Sequence, residues 1–276
     1  MKRLLNTLYV TGKNRYLSLD GENVVISDKQ EEIGRIPLHN LQGIVTFGYT
    51  GASPALMGVC AERNIELTFM SGNGRFLARV TGEVKGNVIL RKQQYRISEN
   101  PYESICYARN FITGKVYNSR WILERAIRDY PMRVDTERLK EKSHFLYQSL
   151  ENIRSCEDSS ILLGLEGEAA SVYFSVFDEL ILQQKDSFYF HGRNKRPPLD
   201  RVNAMLSFAY SLLAGMCGSA LEGVGLDPYV GFYHADRPGR ISLALDLMEE
   251  LRGVMADRFV LTMINKRVMK ETHFIE

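Results

Sequence analysis

Three short segments of this 276-residue chain set acids or an imidazole among small and apolar neighbours. They are Gly164-Leu165-Glu166-Gly167, Gly231-Phe232-Tyr233-His234 and Asp246-Leu247-Met248-Glu249. A charge in such company is costly unless something offsets it. Together they supply Glu166, His234, Asp246 and Glu249. Carboxylates joined by an imidazole form a donor set for a hard or borderline divalent cation. A cation held in that way suits phosphodiester chemistry more than any other reaction.

Each segment also has a plainer reading. On a helix, Glu166 has Leu162, Leu163, Ala169 and Ala170 as neighbours and Tyr173 two turns on. The glycines and alanines beside it would let another element approach closely. The same strip fits a buried glutamate paired with an arginine. Glu168 faces Ser171 and is the weaker candidate. His234 lies in an aromatic-rich loop or helix end, where a lone histidine is commonly structural. Asp246 and Glu249 change that balance, because three residues apart they share a helix face and repel unless a cation relieves them. With Glu250 and Arg252 beside them, they also fit a solvated charged face. The segment 191–198 holds Arg193, Lys195 and Arg196 before two stiffening prolines. Rigid, exposed arginines suit phosphate contacts, and the alternative is a solubilising loop.

The bulk composition narrows the field. The net charge of +2 is too small to carry nucleic-acid binding globally, so any such binding needs a local basic patch. Cys60, Cys106, Cys156 and Cys217 lie far apart and form no C-x-x-C pair. A structural zinc site and a disulfide framework are both unsupported, and free thiols fit a cytoplasmic protein. The start, Met1-Lys2-Arg3-Leu4-Leu5-Asn6-Thr7, has no apolar h-region, so no signal peptide is expected. Residues 202–221 carry no charge, and roughly 20 residues can span a bilayer. Asn203, Ser207, Tyr210, Ser211, Gly215, Gly218 and Ser219 within that stretch favour a buried core helix, and no membrane association is expected.

The elements that must position these residues fall into two textures. Residues 1–88 read as mostly strand, at 16–19, 24–26, 32–38, 43–47, 65–70 and 76–80, with Asp20-Gly21 as a hairpin signal. One helix interrupts them, with Ser53 as its cap, Pro54 at its first position and residues 55–63 following. No long helices alternate with the strands, which argues against a doubly wound parallel sheet. Residues 89–100 read as a connector. Residues 101–276 read as helical, over 102–128, 135–154, from a Ser160 cap to about 184, from an Asp200 cap to 216, and over 241–257. The expected fold is α+β, a small N-terminal β-rich domain followed by a larger all-α domain that carries the metal site.

The ordered set of segments resembles the CRISPR adaptation integrase family. The resemblance rests on Gly-Leu-Glu-Gly-Glu-Ala-Ala at 164–170 and the Arg-Pro-Pro-Leu-Asp-Arg-Val-Asn-Ala-Met-Leu-Ser-Phe-Ala-Tyr run at 196–210. It also rests on Gly-Phe-Tyr-His followed by Asp-Leu-Met-Glu-Glu-Leu-Arg. It covers essentially the whole chain and looks most like the subtype I-C branch. It implies that Glu166, His234 and Glu249 hold Mg²⁺ or Mn²⁺, with Asp246 adjacent and supporting. It further implies a homodimer joined through residues 1–88, a small ferredoxin-like CRISPR partner protein, and double-stranded DNA as substrate, both spacer precursor and CRISPR repeat. The implied activity is insertion of new spacer DNA into the CRISPR array by transesterification. A nuclease on branched or single-stranded DNA and a non-catalytic DNA-binding scaffold are the alternatives. The chain ends at Glu276, whereas similar proteins continue through further helical sequence.

Overall fold

Capping chemistry sets the helix starts. Ser53 accepts a hydrogen bond from the Leu56 amide, and Pro54 begins α1 (Pro54–Glu62), as the sequence predicts. The computed structural model describes residues 6–83, 88–195 and 197–274, and the chain divides between Gly86 and Asn87 into two units. In the first, β2 (Arg15–Asp20) and β3 (Asn23–Asp28) form the hairpin expected at Asp20-Gly21, and β4 (Glu31–Pro37) pairs back on β3. The β3–β4 turn puts Lys29 and Gln30 at positive φ, the mirror-type turn that suits strand twist.

β1 (Thr7–Thr11), β5 (Gly43–Phe47) and β7 (Glu66–Met70) pair in parallel, and β8 (Phe76–Val80) closes that sheet antiparallel to β7. The two-residue β6 (Gly51–Ala52) pairs parallel to β2. The parallel pairs and β1 were not legible from local pattern, because pairing direction depends on how the chain returns. Helix α1 lies in the return between β5 and β7, and it turns Leu56 and Cys60 into a core with Leu17, Val24, Leu38, Ile44 and Leu67.

The second unit is helical. The stretch read as a connector, 89–100, is instead α2 (Val88–Glu99). Its buried Gln94 explains the difference: the side chain donates to the carbonyls of Asp227 and Val230 and accepts from the Asp227 amide, so tertiary bonds fix this helix. Asn100 and Pro101 then start α3 (Pro101–Asp129), whose buried stripe runs through Ile105, Ala108, Ile112, Val116, Leu123 and Ala126. Asp135 caps α4 (Thr136–Ser155). Helix α5 (Ser159–Phe174) is capped by Asp158 rather than Ser160, and it stops about ten residues short of the expected end. Asp158 wins the cap because its carboxylate accepts from both the Ser160 and Ile161 amides.

Asp200 caps α6 (Arg201–Gly223) as expected, though the helix runs seven residues beyond 216. It is long and apolar enough to cross a membrane by length and composition, yet Val202, Leu206, Leu213 and Leu221 pack into the helical core. The last segment begins as α7 (Ser242–Leu251), widens into a π turn over Arg252–Asp257, and resumes as α8 (Arg258–Asn265). All four cysteines are free thiols.

Candidate active site

Asp246 is fully buried on α7 and takes four donors. Its carboxylate accepts the backbone amides of Phe232 at 2.7 Å, Tyr233 at 2.9 Å and His234 at 2.9 Å, and His234 Nδ1 at 2.7 Å. Gly231 makes this wrap possible. A Cβ there would lie 2.8 Å from Ser242 Cβ, 2.9 Å from the His234 carbonyl oxygen and 3.0 Å from Asp246 Oδ2. Gln94 fixes the start of the same loop, and Ser104 on α3 donates to the Phe232 carbonyl at 2.8 Å. A carboxylate accepts only, so Nδ1 carries the imidazole proton and Nε2 is presented as a lone-pair donor. Asp246 therefore spends its charge on positioning His234. The cation imagined between Asp246 and Glu249 is not needed, because loop amides offset one carboxylate and side-chain cations the other.

Glu166 on α5 and Glu249 on α7 meet at one cation, the Lys115 ammonium of α3. Lys115 Nζ donates to Glu166 Oε1 and lies 2.7 Å from Glu249 Oε2. Arg252 Nη2 pairs with Glu249 Oε1 at 3.0 Å, and His234 Nε2 lies 3.9 Å from that same oxygen. Gly114 brings α3 this close to α7: a Cβ there would sit 2.7 Å from Glu250 Cγ. Burial raises the Glu249 carboxyl, but Lys115 and Arg252 outweigh it and hold the group below its ordinary value. Burial, then Glu166, Glu249 and Asp246, push the Tyr233 phenol up.

Glu249 Oε2 has the Lys115 ammonium at 2.7 Å, and the Tyr233 phenol bonds to Glu166. The two glutamates and the imidazole are the donor types that a hard or borderline divalent cation takes, with the Lys115 ammonium between the carboxylates. The plain reading of Glu166 is also partly realised, with a lysine in place of the arginine. Gly164 and Gly167 face open space rather than another element.

A cavity of about 570 Å³ opens beside Glu166 and Lys115, with Arg193, Lys195, Arg252 and Tyr210 on its walls. Asp257, on the π turn, accepts from Tyr210 Oη at 2.5 Å and from Tyr173 Oη at 3.1 Å. Burial pushes its carboxyl up to about 6 against the pull of both phenols. A carboxyl raised from 3.8 to about 6 by folding stabilises the fold below its unfolded value, and that contribution is lost as pH rises through 6. The gap of roughly two pH units corresponds to about 3 kcal/mol. Asp257→Asn, neutral at every pH, is expected to be about 2–3 kcal/mol more stable than the parent at pH 8 and nearly level with it at pH 4. Urea unfolding at the two pH values measures this, and equal stabilities at pH 8 would rule out a buried carboxylate as the cost.

Residues 8–276 match the family model described as CRISPR associated protein Cas1. The chain belongs to the Cas1 family. It is 50% identical over 266 residues to a CRISPR-associated endonuclease Cas1 of Chlorobaculum tepidum, covering 96% of this chain and 78% of that one. A casposase bound to integration product shares the fold with a TM-score of 0.80 at 25% identity, covering 99% of this chain and 76% of the casposase. The fold also recurs, with a TM-score of 0.75 at 22% identity, in a Cas6-RT-Cas1–Cas2 complex, covering 99% of this chain and 29% of that one. The chain is thus an enzyme of a family of CRISPR endonucleases and integrases, built as a β-rich unit followed by helices.

In this Cas1 chain Arg193 differs from the rigid exposed arginine expected of it. Arg193 is half-buried; its guanidinium donates to Asn203 Oδ1 at 2.6 Å and Ser207 Oγ at 3.1 Å and lies over the Tyr210 ring. Lys195 stands beside it on the cavity wall with its surface exposed, and desolvation against that wall, then Arg252 and Arg193, pull its ammonium below the ordinary value. Arg196 lies outside the described residues. Sequence reading missed Lys115, the Arg252–Glu249 pair and the Tyr173–Asp257–Tyr210 network. The one local signal for Lys115 was Gly114, a glycine inside a long helix, which marks a close approach.

Proposed function

We propose that this Cas1 chain inserts spacer DNA into a CRISPR array by metal-dependent transesterification, with Glu166, His234 and Glu249 holding one Mg²⁺ or Mn²⁺. One observation carries the reading. Two carboxylates from different helices converge on a single cation position, with His234 Nε2 presented alongside and a cation-lined cavity adjoining. When bound, the metal ion supplies charge neutralisation at phosphate and activation of an attacking oxygen. The chain's own residues do the rest. Asp246 holds the imidazole in one tautomer, and Arg252, Arg193 and Lys195 offer positive charge to a backbone phosphate.

The 3′-hydroxyl of the incoming strand forms a bond to phosphorus while the bond to the departing 3′-oxygen breaks. The proton lost by the first oxygen balances the one gained by the second. One phosphodiester replaces another, so no nucleotide hydrolysis is required. Incubation with a branched DNA resembling a half-integrated product, with and without Mn²⁺, tests the reading. Joined strands only with Mn²⁺ are expected. Cleaved strands alone would favour the nuclease reading, and no reaction would favour a scaffold.

The same reading extends to a homodimer joined through the β-rich unit and to a small ferredoxin-like Cas2 partner. β1 and β8 end one sheet and β4 and β6 the other, and sheet edges are surfaces that proteins cover or pair. Sedimentation at micromolar concentration is expected to give twice the 31.5 kDa of one chain, and a monomer would remove the dimer from the proposal.

A further inference from the structure

Lys115 stands where the metal reading needs a metal. Its ammonium pairs with Glu166 and lies 2.7 Å from Glu249 Oε2, with only 12% of the side chain exposed. An ammonium and a divalent cation cannot both hold these two oxygens. Among the described residues no three His, Cys, Asp or Glu side chains are arranged to hold a metal ion. We propose that Lys115 is the resident counter-ion of the site, exchanged for the divalent ion on loading, and that this exchange couples metal binding to phosphate binding. The proposal rests on the metal reading above.

The mechanics follow from the anchors. Gly114 clamps the α3 backbone against α7, so the four-carbon stem of Lys115 can swing while its base stays fixed. Loading would release two cations at once. Lys115 loses both carboxylates, and Arg252 loses its 3.0 Å partner, Glu249 Oε1. Both line the cavity that already holds Arg193 and Lys195. Before exchange, the glutamates offset two of these four charges. After exchange, all four face the cavity, and a phosphodiester is the anion that relieves the crowding. The same exchange prevents bare carboxylates from repelling phosphate. Metal and phosphate must then tighten each other by one common factor.

The test is Mn²⁺ binding to the full chain, read from the electron paramagnetic resonance of free Mn²⁺. It is run with and without a short single-stranded oligonucleotide, on the parent and on Lys115→Met. Methionine keeps an unbranched stem and removes the charge. Without DNA, the variant is expected to bind Mn²⁺ about tenfold tighter than the parent. The oligonucleotide should tighten Mn²⁺ about fivefold or more in the parent and by less than half that factor in the variant. Without metal, the variant should melt several degrees lower, and saturating Mn²⁺ should restore it. Should Lys115→Met not fold, Lys115→Gln carries the same test. A residue with a merely structural role would not raise metal affinity when removed. Equal Mn²⁺ affinity in parent and variant would overturn the exchange while leaving the metal reading intact. Absence of Mn²⁺ binding in both would overturn the metal reading and the exchange with it.

Discussion

His234→Ala is expected to lose strand joining by at least about 10²-fold with Mg²⁺ present, while melting within a few degrees of the parent. Removing a group that merely supports a metal ligand costs 10- to 100-fold, and His234 is proposed as a ligand itself. The fold should tolerate the loss for a reason visible in the contacts. The imidazole is 18% exposed, and its one short bond among the described residues is Nδ1 to Asp246 at 2.7 Å. With the ring gone, Asp246 still accepts the amides of residues 232, 233 and 234, so the loop keeps its path. One hydrogen bond to a carboxylate is worth about 1.5–3 kcal/mol, partly recovered by water entering at the exposed edge. The measurement pairs a joining assay on branched DNA with a thermal melt. Joining at the parental rate would refute the ligand assignment, and aggregation would make the histidine a structural one.

How much of this was legible in the sequence follows the range of each interaction. Ser53-Pro54 and Asp200 announced their helices, because a cap is satisfied within three residues. The end of α5 was misread for a related reason. The apolar spacing continues through Val176 and Leu180, yet the chain passes into a 3₁₀ turn at Phe177–Leu180, and spacing alone does not separate the two. Glu166, His234, Asp246 and Glu249 stood out as charges in apolar company, a local contrast. Their division of labour was not local. Asp246 is committed to an amide wrap that only the Gly231 close approach allows, and nothing in its own segment says so. Lys115 was the least visible, since its partners lie 51 residues away at Glu166 and 134 away at Glu249. A lysine on a long amphipathic helix reads as solvent-facing until the second and third helices arrive.

Asp246→Ala should behave in the opposite way to His234→Ala, and the contrast separates positioning from ligation. Asp246 has no exposed surface and four donors aimed at its two oxygens. Truncation leaves three backbone amides and the His234 Nδ1–H facing a void lined by Gly231 and Ser242. Each buried donor left unpaired costs about 1–3 kcal/mol, and breaking a buried charged network by removing one member typically costs about 3–5 kcal/mol in total. The variant is therefore expected to lose about 3–5 kcal/mol in urea unfolding, with or without Mn²⁺, and to lose joining because the loop no longer presents Nε2. Asp246→Asn keeps one acceptor oxygen but turns an amide donor toward amide donors, so its loss should fall between the parent and the alanine variant. Protease sensitivity within 231–240 should rise in the same order. An Asp246→Ala protein as stable as the parent but unable to join strands would shift Asp246 from holding the imidazole to acting on the metal or the DNA itself.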